Sequence, residues 1–267
     1  ITTYLLIFFG GLVRVSGAGM GCPDWPKCFG RWIPPTNINQ VPEIYIEKFN
    51  IVLAWVEYVN RLFGAVVGLV ILLSCLFAYL YFRNNKDVFY PILAALFLTL
   101  VEGWLGSVLV HSVLDPITIT LHLLLALIII GLLIYSSIRA YVVIKGDFEI
   151  NSNYPQKFKW LIFSLMTLMI IEIIIGTEIR GALDISRKNH PLVKGAILLK
   201  MLGSFKYVHT ILGILLVSIT YYLRNVLIKL GQSCSKLMLF SVNSMFAIFF
   251  IQILLGEFLV FFDVKPI

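Results

Sequence analysis

The chain has 267 residues, 60% of them hydrophobic and 13% charged, with a mean hydropathy of +0.94 and a formal net charge of +7. Soluble globular domains are about half apolar and about a quarter charged, so this composition excludes that class and puts the chain in a membrane. Basic loops facing anionic lipid account for the positive charge, which is no argument for a nucleic-acid partner.

A bilayer-spanning helix needs about 20 mostly apolar residues. On that basis seven spans are expected: Ile1 to Val13, Ala54 to Phe82, Val88 to Val110, Ile117 to Ile138, Trp160 to Ile175, Tyr207 to Leu223 and Leu237 to Phe262. The first is too short to cross and opens with neither Met nor a basic flank, so the expectation is a first helix that has lost its start. Ile1 to Phe9 lacks the charged region of a signal peptide.

The loop after the first span, Arg14 to Asn50, contains GCPDWPKCFG, with Cys22 and Cys28. Placing this loop outside puts Arg83, Lys86, Arg139, Lys145, Lys157, Lys159, Arg224, Lys229 and Lys236 inside, in short connections, as the positive-inside rule asks. The other long loop, Gly176 to Lys206, then also lies outside. In an oxidising compartment the cysteine pair reads as a local disulfide; a redox-active or metal-binding pair is the competing reading. Two thiols with no nearby His make a poor metal site. Cys75 falls in a span and Cys234 on the inner side.

The second span opens with WVEYVNRLFG. Glu57 and Arg61, four residues apart, share a helix face and can pair, and Asn60 belongs to the same face. An ion pair anchoring the helix at the interface is the plain reading. A diverged repeat adds to it: YVNRLFG (Tyr58 to Gly64) matches YVHTILG (Tyr207 to Gly213), setting Asn60 against His209.

The third span continues the register. EGWLGSVLVHSVLDP (Glu102 to Pro116) aligns with QILLGEFLVFFDVKP (Gln252 to Pro266), at an offset differing by one residue. A weaker match joins GGLVR (Gly10 to Arg14) to GTEIR (Gly176 to Arg180), each read as a span ending in Gly with Arg four residues later. The expected architecture is an all-α polytopic membrane protein of two four-helix bundles in parallel repeat, residues 1–145 and 146–267. Eight spans make the full set; about seven are here, the first truncated and the eighth missing.

Ionisable groups within spans cost several kcal/mol unless paired or wet, and so default to functional hypotheses. They are Glu57, Arg61, Glu102, His122, Glu172, His209 and Glu257. His122 and His209 each sit near the outer end of an apolar helix, one per half. Imidazoles projecting from facing helices of a four-helix bundle are a standard way to hold heme iron. His111 and His190 are expected to meet water. Arg14, Arg180 and Arg61, near the outer surface, suit carboxylate or propionate groups.

GGLVRVSGAGMGCPDWPKCFG, WVEYVNRLFG, TLHLLLAL, GTEIRGALD and YVHTILG, in this order, closely resemble the heme A synthase family of bacterial plasma membranes and mitochondrial inner membranes. The likeness covers essentially the whole chain. It implies an eight-span oxidoreductase of the bacterial plasma membrane that oxidises the C8 methyl of heme O, through a hydroxymethyl group, to the formyl of heme A for terminal oxidases. The first half would hold substrate heme O, with His122, Asn60 and Arg61 at its site and Glu57 as the acidic catalytic residue beside it. The second half would hold a heme b cofactor with His209 as axial ligand, its partner lying in the missing span. Cys22 and Cys28 fall on the family's outer-loop pair, and Arg14 and Arg180 become propionate clamps.

The family pattern usually reads Glu-x-x-His-Arg where this chain has Glu57-x-x-Asn60-Arg61, so the substrate iron would face a weak amide ligand or an open position. The implied partners are heme O synthase as supplier, an electron donor or acceptor, cytochrome oxidase assembly factors and the bilayer, with room for a homo-oligomer. Two other classes stay open on the residues alone. One is a heme b electron-transfer or thiol-oxidising protein; the other is a transporter using Glu102, Glu172 and Glu257 as a proton relay.

Overall fold

The computed structural model describes residues 1–146, 156–190, 203–230 and 236–261, with residues 193 and 197. Seven helices account for most of them: α1 (Thr2–Val15), α2 (Ile51–Phe82), α3 (Lys86–His111), α4 (Pro116–Lys145), α5 (Gln156–Asn189), α6 (Phe205–Leu230) and α7 (Lys236–Phe261). All but α1 are long and apolar enough to cross a membrane. Leu69, Leu73, Leu76 and Leu80 stand exposed along α2, as do Phe97, Leu100 and Trp104 along α3. Such wide apolar faces have no place in water, and a helix alone satisfies its backbone polar groups in lipid. The chain is a multi-pass all-α membrane protein.

Helix ends follow local chemistry. The Asn50 side chain accepts hydrogen bonds from the N–H groups of Val52 and Leu53 at 3.0 and 3.2 Å, opening α2. Asp115 accepts from Thr118 N–H at 3.1 Å, with Pro116 at the first helical position, opening α4. Each cap contributes about 1 kcal/mol. Gly146 ends α4 at a φ of 73°, in the left-handed region that glycine adopts without strain.

Two boundaries differ from expectation. Helix α5 does not stop at Ile175 but runs to Asn189, and Arg14 lies inside α1, so neither Gly176 nor Gly10 ends a span. Thr177, Glu178, Arg180 and Asp184 lower the hydropathy without breaking the helix, and Arg180 pairs with Asp184 one turn away. Hydropathy reports where lipid ends; the backbone hydrogen bonds continue past that point.

The helices gather into two compact units that divide near residue 148. In the first, contacts of α1 with α2, α2 with α3, α3 with α4 and α4 with α1 close a ring, which makes α2 and α4 diagonal partners across a four-helix bundle. Val67 and Ile71 of α2, Ala95 of α3 and Ile129 of α4 form its buried core. At the other end from the Cys22 loop, Ser136 donates to the Val88 carbonyl at 2.8 Å, and Arg139 meets Asp87 at 2.6 Å, joining α4 to α3.

In the second unit α6 packs against both α5 and α7. Its core comprises Phe158 and Leu165 of α5, Leu216, Leu223 and Leu227 of α6, and Val242 of α7. Arg224 donates to the Asn243 side chain at 2.8 Å and ties α6 to α7. Cys234 and residues 262–267, with the proposed end of the repeat, lie outside the described residues.

Candidate functional site

At one end of the first unit the segment between α1 and α2 folds into a cap. Cys22 and Cys28 are joined by a disulfide, and both are fully buried. The Asp24 carboxylate accepts from the N–H groups of Phe29 and Gly30 at 2.6 and 2.8 Å, holding the turn where both residues have positive φ. Phe29 packs edge-on to Tyr45 and Phe49. Gly21 allows the closest approach: a Cβ there would lie 2.3 Å from the Leu53 carbonyl oxygen of α2.

Glu57 and Arg61 fasten this cap to the helix. One Glu57 oxygen accepts from the Cys22 N–H at 2.9 Å, and the other pairs with Arg61. Arg61 in turn donates to the carbonyls of Asp24 and Lys27, at 2.8 and 2.9 Å. The two side chains thus act as one clamp: the carboxylate takes a loop donor, the guanidinium takes two loop acceptors, and they neutralise each other. Buried charges are tolerated on just these terms.

Below the cap, three helices bring polar groups into one layer. Asn60 lies one turn from Phe63 and two from Val67 on α2, Glu102 one turn from Leu98 on α3, and His122 one turn from Leu125 on α4. All four apolar residues belong to one core cluster, so these polar groups share the next layer towards the cap. Nδ1 of His122 is 3.3 Å from Oε1 of Glu102, out of line for a hydrogen bond. Asn60 Oδ1, Glu102 Oε2 and His122 Nδ1 are all buried without a hydrogen-bond partner. Such groups are costly left bare, so a layer of them points to something the layer holds.

The second unit repeats the chemistry on different helices. Nδ1 of His209, on α6, is 2.9 Å from Oε1 of Glu172, on α5. Glycines make room on both sides: a Cβ on Gly176 would lie 3.1 Å from His209 Cε1, and one on Gly213 would lie 3.3 Å from Glu172 Oε1. Glu172 Oε2 and His209 Nδ1 are again buried and unpartnered. With side-chain exposures of 36% for His122 and 41% for His209, each imidazole is partly open although its Nδ1 is buried beside a carboxylate.

The other sequence candidates lie elsewhere on the helices or at their ends. Arg180 is engaged with Asp184, its Nε 3.1 Å from the carboxylate. Arg14 lies near the end of α1, partly buried. His111, exposed at the end of α3, meets the Ser107 carbonyl at 2.7 Å, and His190 is exposed. Glu257 is exposed on α7, and Cys75 is a buried thiol in the core. Sequence reasoning named Glu102 and Glu172 as buried charges but did not pair them with the histidines. The shared spacing Glu102-x-x-x-Gly106 and Glu172-x-x-x-Gly176 was the available signal. Asp24 was missed as the organiser of the loop.

A family model described as Cytochrome oxidase assembly protein matches residues 1–267. Curated relatives named Heme A synthase include one from Shewanella oneidensis, 31% identical over 58% of this chain and 48% of its own length. Others come from Pelagibacter ubique, 27% identical over 66% of this chain and 57% of its own, and from Ehrlichia canis, 27% identical over 73% and 61%. The chain therefore spans about half to three fifths of the length of these relatives. No solved structure matches the chain.

Proposed function

The chain belongs to the Cytochrome oxidase assembly protein family, and from that premise we propose that it is part of a heme A synthase. Its substrate is heme O, whose C8 methyl is oxidised to the formyl of heme A, and heme b is the resident cofactor of the second unit. The observation that carries this reading is the polar layer of the first unit. Asn60 and His122 project from diagonal helices at one depth, with buried polar atoms left unpartnered. Opposed donors across a four-helix bundle suit an iron macrocycle better than a proton path, which would need a connected chain of carriers.

The second unit fits a cofactor heme by the same test, since His209 has a buried Nδ1 beside a carboxylate on a side chain that is otherwise partly exposed. Heme b, when bound there, supplies one-electron chemistry. His209 would hold the iron of heme b, and His122 that of the substrate heme. Asn60 offers the substrate iron an amide oxygen, a weak ligand, or leaves that side open. Arg14 and Arg180 contact propionates, Arg180 by giving up part of its pairing with Asp184. Glu57 and Arg61 act on the substrate site first through the cap they hold above it. Any proton that Glu57 receives competes with the Cys22 N–H and Arg61 for its carboxylate.

The cap is proposed to face the outside of a bacterial plasma membrane. The proposed partners are a heme O synthase, a redox partner and oxidase assembly factors. The test is heme extraction and mass analysis of the full-length protein co-expressed with a heme O source. Hydroxymethyl heme or heme A is expected. Heme b alone, with heme O returned unchanged, overturns this reading in favour of an electron-transfer protein.

A further inference from the structure

Glu102 with Gly106 and Glu172 with Gly176 share one spacing, which Leu6 with Gly10 and Gln252 with Gly256 keep on two other helices. Where the first residue is Glu, the glycine faces a histidine of the next helix; at Gly10 and Gly256 nothing lies within 4 Å of an added Cβ. We propose that Glu102 with Gly106, and Glu172 with Gly176, are two copies of one histidine seat. In each, the carboxylate stands beside Nδ1 of the imidazole, placed to take its N–H once the ring ligates, and the glycine keeps that flank of the ring free of a side chain, so that Nε2 would be presented to heme iron. This inference rests on the proposed heme sites and makes the two glutamates positioning residues.

The two seats are not equally tight. His209 lies 2.9 Å from its carboxylate and its Cε1 is 3.1 Å from the Cβ position of Gly176. His122 lies 3.3 Å from Glu102, and its Cε1 is 4.0 Å from the Cβ position of Gly106. The α5 seat is also reciprocal, because Gly213 of α6 makes room for Glu172. A carboxylate behind a ligating imidazole fixes its tautomer and raises its basicity. The close seat is the one on the proposed permanent cofactor, and the looser one is on the substrate, which must leave as product.

The experiment compares full-length wild type with Glu172→Gln, Glu172→Ala, Gly176→Ala, Gly106→Ala and the control Glu257→Gln, reading heme b affinity, the low-spin spectrum and the midpoint potential. Glu172→Ala is expected to weaken heme b binding by about tenfold or more. Glu172→Gln keeps an acceptor for Nδ1–H, so it should retain the low-spin heme but shift the midpoint potential upward, because the anionic partner is gone. Gly176→Ala should lower heme b occupancy, whereas Gly106→Ala should leave it at the control level. Thermal unfolding of each apoprotein separates a lost seat from a lost fold. A wild type that binds no heme b overturns the parent reading and the seat with it. A wild type that binds heme b, with Glu172→Gln and Glu172→Ala matching it in affinity and potential, overturns the seat alone.

Discussion

Glu57 accepts a hydrogen bond from the backbone N–H of Cys22, 35 positions away in sequence, and so couples the disulfide loop to the helix that carries Asn60. With Glu57 replaced by Ala, Arg61 keeps its two loop carbonyls but loses its counter-charge, and the Cys22 N–H loses its acceptor. Breaking a buried pair in this way costs about 3 kcal/mol. Glu57→Gln preserves the acceptor and should cost about 1.5 kcal/mol. Thermal unfolding in detergent measures both. The Gln variant also separates the two roles of the residue. If trypsin cleaves at Lys27 and Arg31 no faster than in the wild type while heme A formation falls, the carboxylate has a chemical role; if heme A formation is unchanged, Glu57 is an anchor only.

Gly21 tests the docking of the same loop from its other side. A methyl group there would sit 2.3 Å from the Leu53 carbonyl oxygen, backbone against backbone, so nothing flexible can move aside. Gly21→Ala should lift the loop from α2 and expose the disulfide, which is fully buried in the native protein. Reduction by dithiothreitol, followed by maleimide labelling of Cys22 and Cys28, is expected to speed up by about tenfold or more, through local opening rather than global unfolding. Labelling at the native rate would show that the loop does not depend on this contact.

The spans were legible because lipid imposes one rule on every window of 20 residues: Ile51–Phe82 and Lys86–His111 begin within three residues of where hydropathy starts them. The run of α5 to Asn189 was not, since hydropathy records solvent and not hydrogen bonding. Glu57 and Arg61 were legible as a pair from their spacing, yet what they hold was not. The Asp24, Lys27 and Cys22 backbone groups carry no side-chain signature in the sequence. Pairing of His122 with Glu102 and of His209 with Glu172 depends on how adjacent helices rotate against each other. Single-helix periodicity leaves that angle undetermined, and only the recurring Glu-x-x-x-Gly spacing hinted at it.

Arg180 distinguishes a surface pair from a ligand clamp. Its partner Asp184 is one turn away, and the two side chains are 34% and 41% exposed. Such a pair contributes about 0.5 kcal/mol at most. Arg180→Ala should therefore leave the unfolding temperature of the apoprotein nearly unchanged. If the guanidinium also contacts a propionate, the same change lowers heme b affinity, and Arg180→Lys, which keeps charge but not the planar fork, restores it only in part. Equal heme affinity in all three proteins removes the clamp.

Asn60 stands on the helix diagonal to that of His122, and its buried, unpartnered Oδ1 makes it a sensitive place to intervene. With heme O loaded from a co-expressed source, the wild-type substrate site should have His122 as its one strong ligand, and its spectrum should include a high-spin or water-ligated component. Asn60→His adds an imidazole on the diagonal helix at the same depth and is expected to convert that component to six-coordinate low-spin heme. Binding of heme O should tighten, and turnover should slow if access at that side of the iron matters to the reaction. His122→Ala in the Asn60→His background should leave one strong ligand again, now on α2. A wild-type substrate heme that is already fully low-spin would mean that Asn60, or a group it positions, completes the coordination, and the open-side reading would have to be abandoned.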